Sequence, residues 1–176
     1  MKVGLNGRKA PALQDSIERV TVLVGPPCSG KSTYLKTLEC DFVISSDDIV
    51  EILCLKNDLR YHEYFKLPGD HSLKIQHSHI FENLIDESLK HKHVVWDLTN
   101  LTRRSRSKIF QYYPNAKISA VVFNFKEKEA LLLARNQQRF LSQGKHIDEA
   151  VMKEMFKRYE PVTKDEGFES ILNKFT

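Results

Sequence analysis

The chain has 176 residues, 41% of them apolar and 28% charged, an ordinary globular composition that excludes disordered and fibrous classes. Its net charge of +4 permits a polyanionic partner without requiring one. No apolar run approaches the roughly 20 residues that span a bilayer, so no membrane partner is expected. The start Met1-Lys2-Val3-Gly4 lacks the apolar core of a signal peptide, and three cysteines without CxxC spacing argue against a disulfide framework or a zinc site. The expectation is a protein of a reducing, cytoplasmic compartment.

In chain order, residues 1–19 carry Gly4, Gly7 and Pro11 without a sustained period. They are expected to form an N-terminal extension, with a helical turn over residues 14–19, ahead of one domain over residues 20–176. The β-branched run over residues 20–24 predicts a buried parallel strand, followed by a helix from Lys31 to about Glu39. A second strand is expected over residues 41–44. Ser46 is expected to cap the next helix, with Asp47 and Asp48 in its first turn and Ile49, Ile52 and Leu53 as its apolar face. Residues 56–70 read as a loop of weak helical character. Residues 72–90 have helical spacing, from Leu73 through Phe81 and Ile85 to Leu89. Residues 93–97 form a third strand, and Thr102 caps a helix reaching about Tyr113. A fourth strand follows over residues 118–123, then a helix over residues 126–140 with Leu131, Leu132, Leu133 and Ala134 against the sheet. Gly144 breaks that helix, residues 147–158 form another, and residues 167–171 form a last edge strand. Strands alternating with helices predict an α/β fold, a doubly wound parallel sheet with helices on both faces.

Chemistry concentrates in Gly25-Pro26-Pro27-Cys28-Ser29-Gly30-Lys31-Ser32-Thr33, between the first strand and its helix. This is the Walker A pattern G-x-x-x-x-G-K-[ST] in the strand–loop–helix setting it needs. Glycines let the backbone wrap a phosphate chain, so Gly25, Cys28, Ser29, Gly30 and Thr33 are expected around the nucleotide. Lys31 would reach the outer phosphates and Ser32 would ligate Mg²⁺. Asp97 closes the apolar run Val94-Val95-Trp96, the Walker B shape, and would hold the same ion. Asp47 follows the second strand, on the rim where ligands of open parallel sheets bind, and is expected to accept a proton from an attacking hydroxyl. Asp48 fits helix N-terminal charge just as well. Thr99 and Asn100 read as turn formers, or as contacts to Asp97 or the acceptor. Arg135 and Arg139 share a helix face beside the Gly144 break, where a lid closing on the outer phosphates would hinge. Arg103 and Arg104 could bind an acceptor phosphate or stay solvated. The histidine pairs His77/His79 and His91/His93 lack further ligands at metal spacing. Thr163-Lys164-Asp165-Glu166 misses the guanine-binding N/T-K-x-D pattern at its last residue.

Four segments occur in order: the loop over residues 25–33, Ile44-Ser45-Ser46-Asp47-Asp48, Trp96-Asp97-Leu98-Thr99-Asn100 and Arg135-x-x-x-Arg139. Together they resemble the kinase module of phage- and bacterial-type 5′-polynucleotide kinases over about residues 20–171. The resemblance implies a P-loop fold with a helical lid, and transfer of the γ-phosphate of ATP or another NTP, with Mg²⁺, to the 5′-hydroxyl of an RNA or DNA end. It implies Lys31, Asp47 (the general base) and Arg139 as catalytic, with Arg135 beside Arg139 in the lid. End healing of this kind implies a ligase or phosphatase in the same pathway. One position departs: that family has an arginine three residues after the base, gripping the acceptor's next phosphate, where this chain has Val50. Either Arg60, Arg103 or Arg104 takes its place, or the acceptor is a small metabolite, nucleoside or nucleotide sugar, as for the zeta-toxin-like kinases. A nucleotide-gated switch is the reading from outside enzymology.

Overall fold

A computed structural model describes residues 17–175 of the chain. Five parallel strands form one sheet in the order β2-β3-β1-β4-β5. They are β1 (Arg19–Val24), β2 (Phe42–Ser45), β3 (His93–Asp97), β4 (Lys117–Asn124) and β5 (Ser170–Phe175). The three central strands are apolar on both faces because helices cover both, which is why they read as unbroken hydrophobic runs. Val20, Val22, Val94, Trp96 and Val122 fill one face, while Leu23, Val95, Val121 and Phe123 fill the other. The alternation along each strand is the two-residue pleat period.

Helix α1 (Lys31–Leu35) is short, stopping well before the expected Glu39, because the chain turns back through Thr37 N–H to Tyr34 O. Helix α2 (Ser46–Lys56) is capped by Ser45, whose hydroxyl accepts from Asp48 N–H at 3.2 Å, and not by Ser46, which is the first helical residue. That phase buries Ile49, Val50, Leu53 and Cys54 and leaves the expected core residue Ile52 50% exposed. The stretch expected as loop contains helix α3 (Tyr61–Lys66), held by Arg60 N–H donating to Glu63. Helix α4 (Ser72–Ser88) and helix α5 (Arg103–Tyr112, capped by Thr102) follow closely the spans expected of them. Helix α6 (Glu129–Gln143) buries Leu132 fully but leaves Leu131 42% exposed. Gly144 ends it with φ +68°, a left-handed conformation that favours glycine. Helix α7 (Glu149–Lys157) starts two residues later than expected, and β5 lies three residues further on than expected, at the edge beside β4.

Residues 1–16, most of the expected extension, lie outside the described residues. The sheet reaches back into that extension: Arg19 pairs with His93 and Lys117, and Ile17 packs on the core. Among the described residues no helix is long and apolar enough to cross a membrane.

Sequence gave no sign of the ion pair that closes the C-terminal half onto α5. Arg106 is completely buried, and its guanidinium donates to both Glu166 carboxylate oxygens, at 2.7 and 2.8 Å, and to Asn100 O at 3.0 Å. Burial pushes the Glu166 carboxyl up, but the Arg106 and Thr163 hydrogen bonds outweigh it and hold the group below the usual range. Two parallel charge-assisted bonds fix the 3₁₀ turn Lys164–Glu166 in place. Glu166→Ala strands a buried guanidinium and should lower unfolding free energy by about 3–5 kcal/mol in denaturant titrations; a loss below about 1 kcal/mol would show the pair to be dispensable.

Candidate active site

Three strand ends converge. In the sheet, Leu23 lies beside Asp97, and Ser45 lies on the other side of Asp97. The residues that follow β1 and β2 therefore meet across the end of β3, at the carboxyl edge where α/β proteins place their ligands.

The loop after β1 needs its glycines for two different reasons. A Cβ at Gly25 would lie 2.7 Å from Ser29 Oγ and 3.0 Å from Phe123 Cβ, so no side chain fits there. Gly30 has φ +101° at the start of α1. The loop is tied to β3 from behind: Gly25 N–H donates to Thr99 O at 3.0 Å, and the buried Asn100 amide donates to Leu23 O at 2.7 Å. Inside the loop, Lys31 Nζ donates to Gly25 O at 2.8 Å and Pro26 O at 2.9 Å. Burial lowers the Lys31 ammonium to about 8; the charges of Asp97, Cys28 and Asp47 oppose this, and Arg139 adds to it. Ser29 Oγ is buried with no hydrogen-bond partner among the described residues. A desolvated cation and an orphaned hydroxyl in one loop are what an anion would satisfy, so these residues fit a phosphate chain.

The Asp97 carboxyl is pushed up by burial; Lys31 pulls it down, while Asp48 and Asp47 push it further up. Among the described residues no group of three or more His, Cys, Asp or Glu side chains could hold a metal ion. Ser32 and Asp97 both line the cleft, and two oxygen donors suit Mg²⁺, which keeps waters and takes substrate phosphates as its remaining ligands. Asp47 is held from three sides. Tyr61 donates its hydroxyl to Oδ1, Arg139 Nη2 lies 3.4 Å from Oδ2, and Lys145 Nζ lies 4.0 Å from Oδ2 while also pairing with Glu51. Burial, and then the Asp47 charge, push the Tyr61 hydroxyl far above its ordinary value, so it stays a donor. One turn before Arg139, Arg135 Nη1 donates to Cys28 O at 3.2 Å. Helix α6 thus spans from the phosphate loop to Asp47.

These groups line a cleft of about 1220 Å³. The loop residues from Cys28 to Thr33 form its floor, and Asp47, Asp97, Thr99, Arg135 and Arg139 also face it; Gly25 lies behind the loop. Four residues expected at the acceptor do not line it. Asn100 spends its amide on the carbonyls of Leu23 in β1 and Leu98 just past β3, with its backbone at φ +50°. Arg103 is turned to the C-terminal segment, where it pairs with Asp165, donates to Thr163 Oγ1 at 3.2 Å and binds Glu160 through its N–H. Arg104 is exposed on α5, and Asp48 is exposed on the first turn of α2. Two residues at Asp47 went unforeseen. Tyr61 sits on the helix read as loop. Lys145 follows Gly144 in a segment pinned to α6 by Asn136, which bonds Ile147 O at 2.7 Å; a cation just past a helix-ending glycine was the one signal for it.

The phosphate loop and the five-stranded parallel sheet give the chain a P-loop α/β fold. The chain belongs to the AAA domain family, whose model matches residues 20–162. Among solved structures it is similar to a chain of the Pnkp1/Rnl/Hen1 RNA repair complex, with a TM-score of 0.61 and 19% identity over 81% of this chain and 44% of that one. It therefore spans less than half the length of that relative. Kti12 of Chaetomium thermophilum, solved with ADP-AlF3, is similar at a TM-score of 0.58 and 13% identity over 89% of this chain and 88% of that one. A fungal RNA kinase follows at 0.50 and 18%, over 91% and 75%. No curated protein matches the sequence.

The Lys31 environment makes anion binding proton-linked. Its folded value lies below the ordinary one, so above about pH 8 the unliganded protein gives up a proton that a bound phosphate chain favours keeping. Binding of a non-hydrolysable ATP analogue at pH 8.5 should take up part of a proton, seen by calorimetry in buffers of different ionisation enthalpy. Lys31→Met should abolish that uptake; equal uptake in both proteins would contradict the assignment.

Proposed function

We propose that the chain is an NTP-dependent kinase that phosphorylates the 5′-hydroxyl ends of RNA or DNA. The observation that carries this reading is Asp47: a carboxylate beside the phosphate loop, aimed by Tyr61 and by an arginine on the helix that also touches the loop. A bound NTP would supply the phosphoryl group, with Mg²⁺ at Ser32 and Asp97 drawing charge from its oxygens. Lys31 neutralises the outer phosphates. Asp47 accepts the proton of the acceptor hydroxyl as its oxygen bonds to phosphorus and the bond to the nucleoside diphosphate breaks. Arg139 lies one turn from Arg135 and moves from Asp47 toward the developing charge as the lid closes. The order of motifs supports the polynucleotide acceptor, as does a fold shared with an RNA kinase. On this reading the enzyme works in the cytoplasm with a ligase or phosphatase completing the repair.

A small-alcohol acceptor is the second reading, favoured by Val50. It is buried at the cleft, where the resembling family has a cation. Incubation with γ-labelled ATP, Mg²⁺ and a panel of 5′-hydroxyl oligonucleotides, nucleosides and sugars separates the two. Label on oligonucleotide ends is expected; label on sugars alone overturns the polynucleotide reading.

Lys31→Ala should leave the fold intact and abolish transfer, and unchanged turnover would remove the phosphate-loop assignment. Arg139→Ala should lower kcat by on the order of a hundredfold, with a smaller change in nucleotide affinity. If KM alone rises, Arg139 binds substrate and does not act on the transition state.

A further inference from the structure

A second cavity, of about 330 Å³, opens between α2, α3 and α4. Ser46, Val50 and Phe65 line both it and the main cleft, so the two join along the face of α2 that carries Asp47. Its volume falls at the lower end of ligand pockets and is enough for one nucleotide unit.

The walls carry three kinds of group. Phe65, at the junction, is 53% exposed, an aromatic ring of this size left open to solvent. Lys74 lies with Nζ 3.9 Å from the centroid of the Tyr64 ring and 5.4 Å from that of Phe65. An ammonium resting on aromatic faces is weakly held and gains more from a phosphate oxygen. His77 Nε2 and Ser46 Oγ are 2.8 Å apart and fix a polar pair on the wall next to Asp47. An aromatic platform, a cation and a polar pair match a base, a phosphate and a ribose. An acceptor without a phosphate would leave the ammonium without an anion.

We propose that this cavity is the acceptor site, and that it takes a nucleoside 3′-phosphate unit, the first of a 5′-hydroxyl end. The base stacks on Phe65, the phosphate meets Lys74, and the 5′-hydroxyl points out of the cavity to Asp47. Lys74 thus supplies from α4 the cation that Val50 does not supply from α2. This inference rests on the kinase reading above.

The test compares wild type, Lys74→Ala, Lys74→Arg and Phe65→Ala on three acceptors: a 5′-hydroxyl oligonucleotide, a nucleoside 3′-monophosphate and the phosphate-free nucleoside. Lys74→Ala should raise KM about tenfold or more for the two phosphate-bearing acceptors. It should leave KM for ATP unchanged and cost the nucleoside nothing. Lys74→Arg should restore most of the loss, and Phe65→Ala should raise KM for all three acceptors. Transfer to the oligonucleotide with an unchanged KM in Lys74→Ala overturns the site and leaves the kinase reading standing. A wild-type enzyme that labels only sugars overturns both.

Discussion

The Lys31 ammonium is the charge around which the site is arranged. Burial disfavours it, and two loop carbonyls and the charges of Asp97, Cys28 and Asp47 only partly offset that. A cation in that position is costly in the empty protein and well placed for a polyphosphate, because a site that is already desolvated need not be dried again when the anion arrives. The loop keeps this geometry because it is anchored from behind. Asn100 and Thr99, at the end of β3, tie down the last residues of β1, so the strand pairing that builds the sheet also sets the loop.

The same pairing places the carboxylates. With β3 between β1 and β2, Asp97 falls between Lys31 and Asp47, and its carboxyl feels both. Helix α6 then closes the arrangement from above with two arginines, one on the loop and one on Asp47. On the proposed reading α6 is a lid whose Arg139 leaves Asp47 when nucleotide binds, which would couple nucleotide binding to exposure of Asp47.

Local features of this molecule were legible in its sequence, and long-range ones were not. The phosphate loop, the end of β3 at Asp97 and the Thr102 cap each follow from a handful of consecutive residues. Ser45 and Ser46 are both good caps by type, and the strand pairing with Asp97 decided between them. Helix α3 is short and gains its stability from Tyr61 and Tyr64 packing under α2, a contact no local pattern shows. Tyr61 reaches Asp47 across 14 residues, Lys145 across 98, and Arg106 finds Glu166 across 60. Arg103, Arg104 and Arg106 are neighbours in sequence at the start of α5, which leaves an acceptor contact and a solvated surface equally open. In the fold those charges divide: Arg106 is buried in an ion pair, Arg103 faces the C-terminal segment, and Arg104 is exposed away from the cleft.

The central claim is that Asp47 is the base, and Asp47→Asn tests it most directly. The amide keeps the size of the side chain and can still accept from Tyr61, so the cleft should hold its shape while the charge is lost. In single-turnover transfer from bound ATP to a 5′-hydroxyl oligonucleotide, the rate should fall by on the order of a hundredfold or more, with ATP affinity and unfolding midpoint unchanged. A rate within a few fold of wild type, in a protein that still binds ATP, would contradict the account.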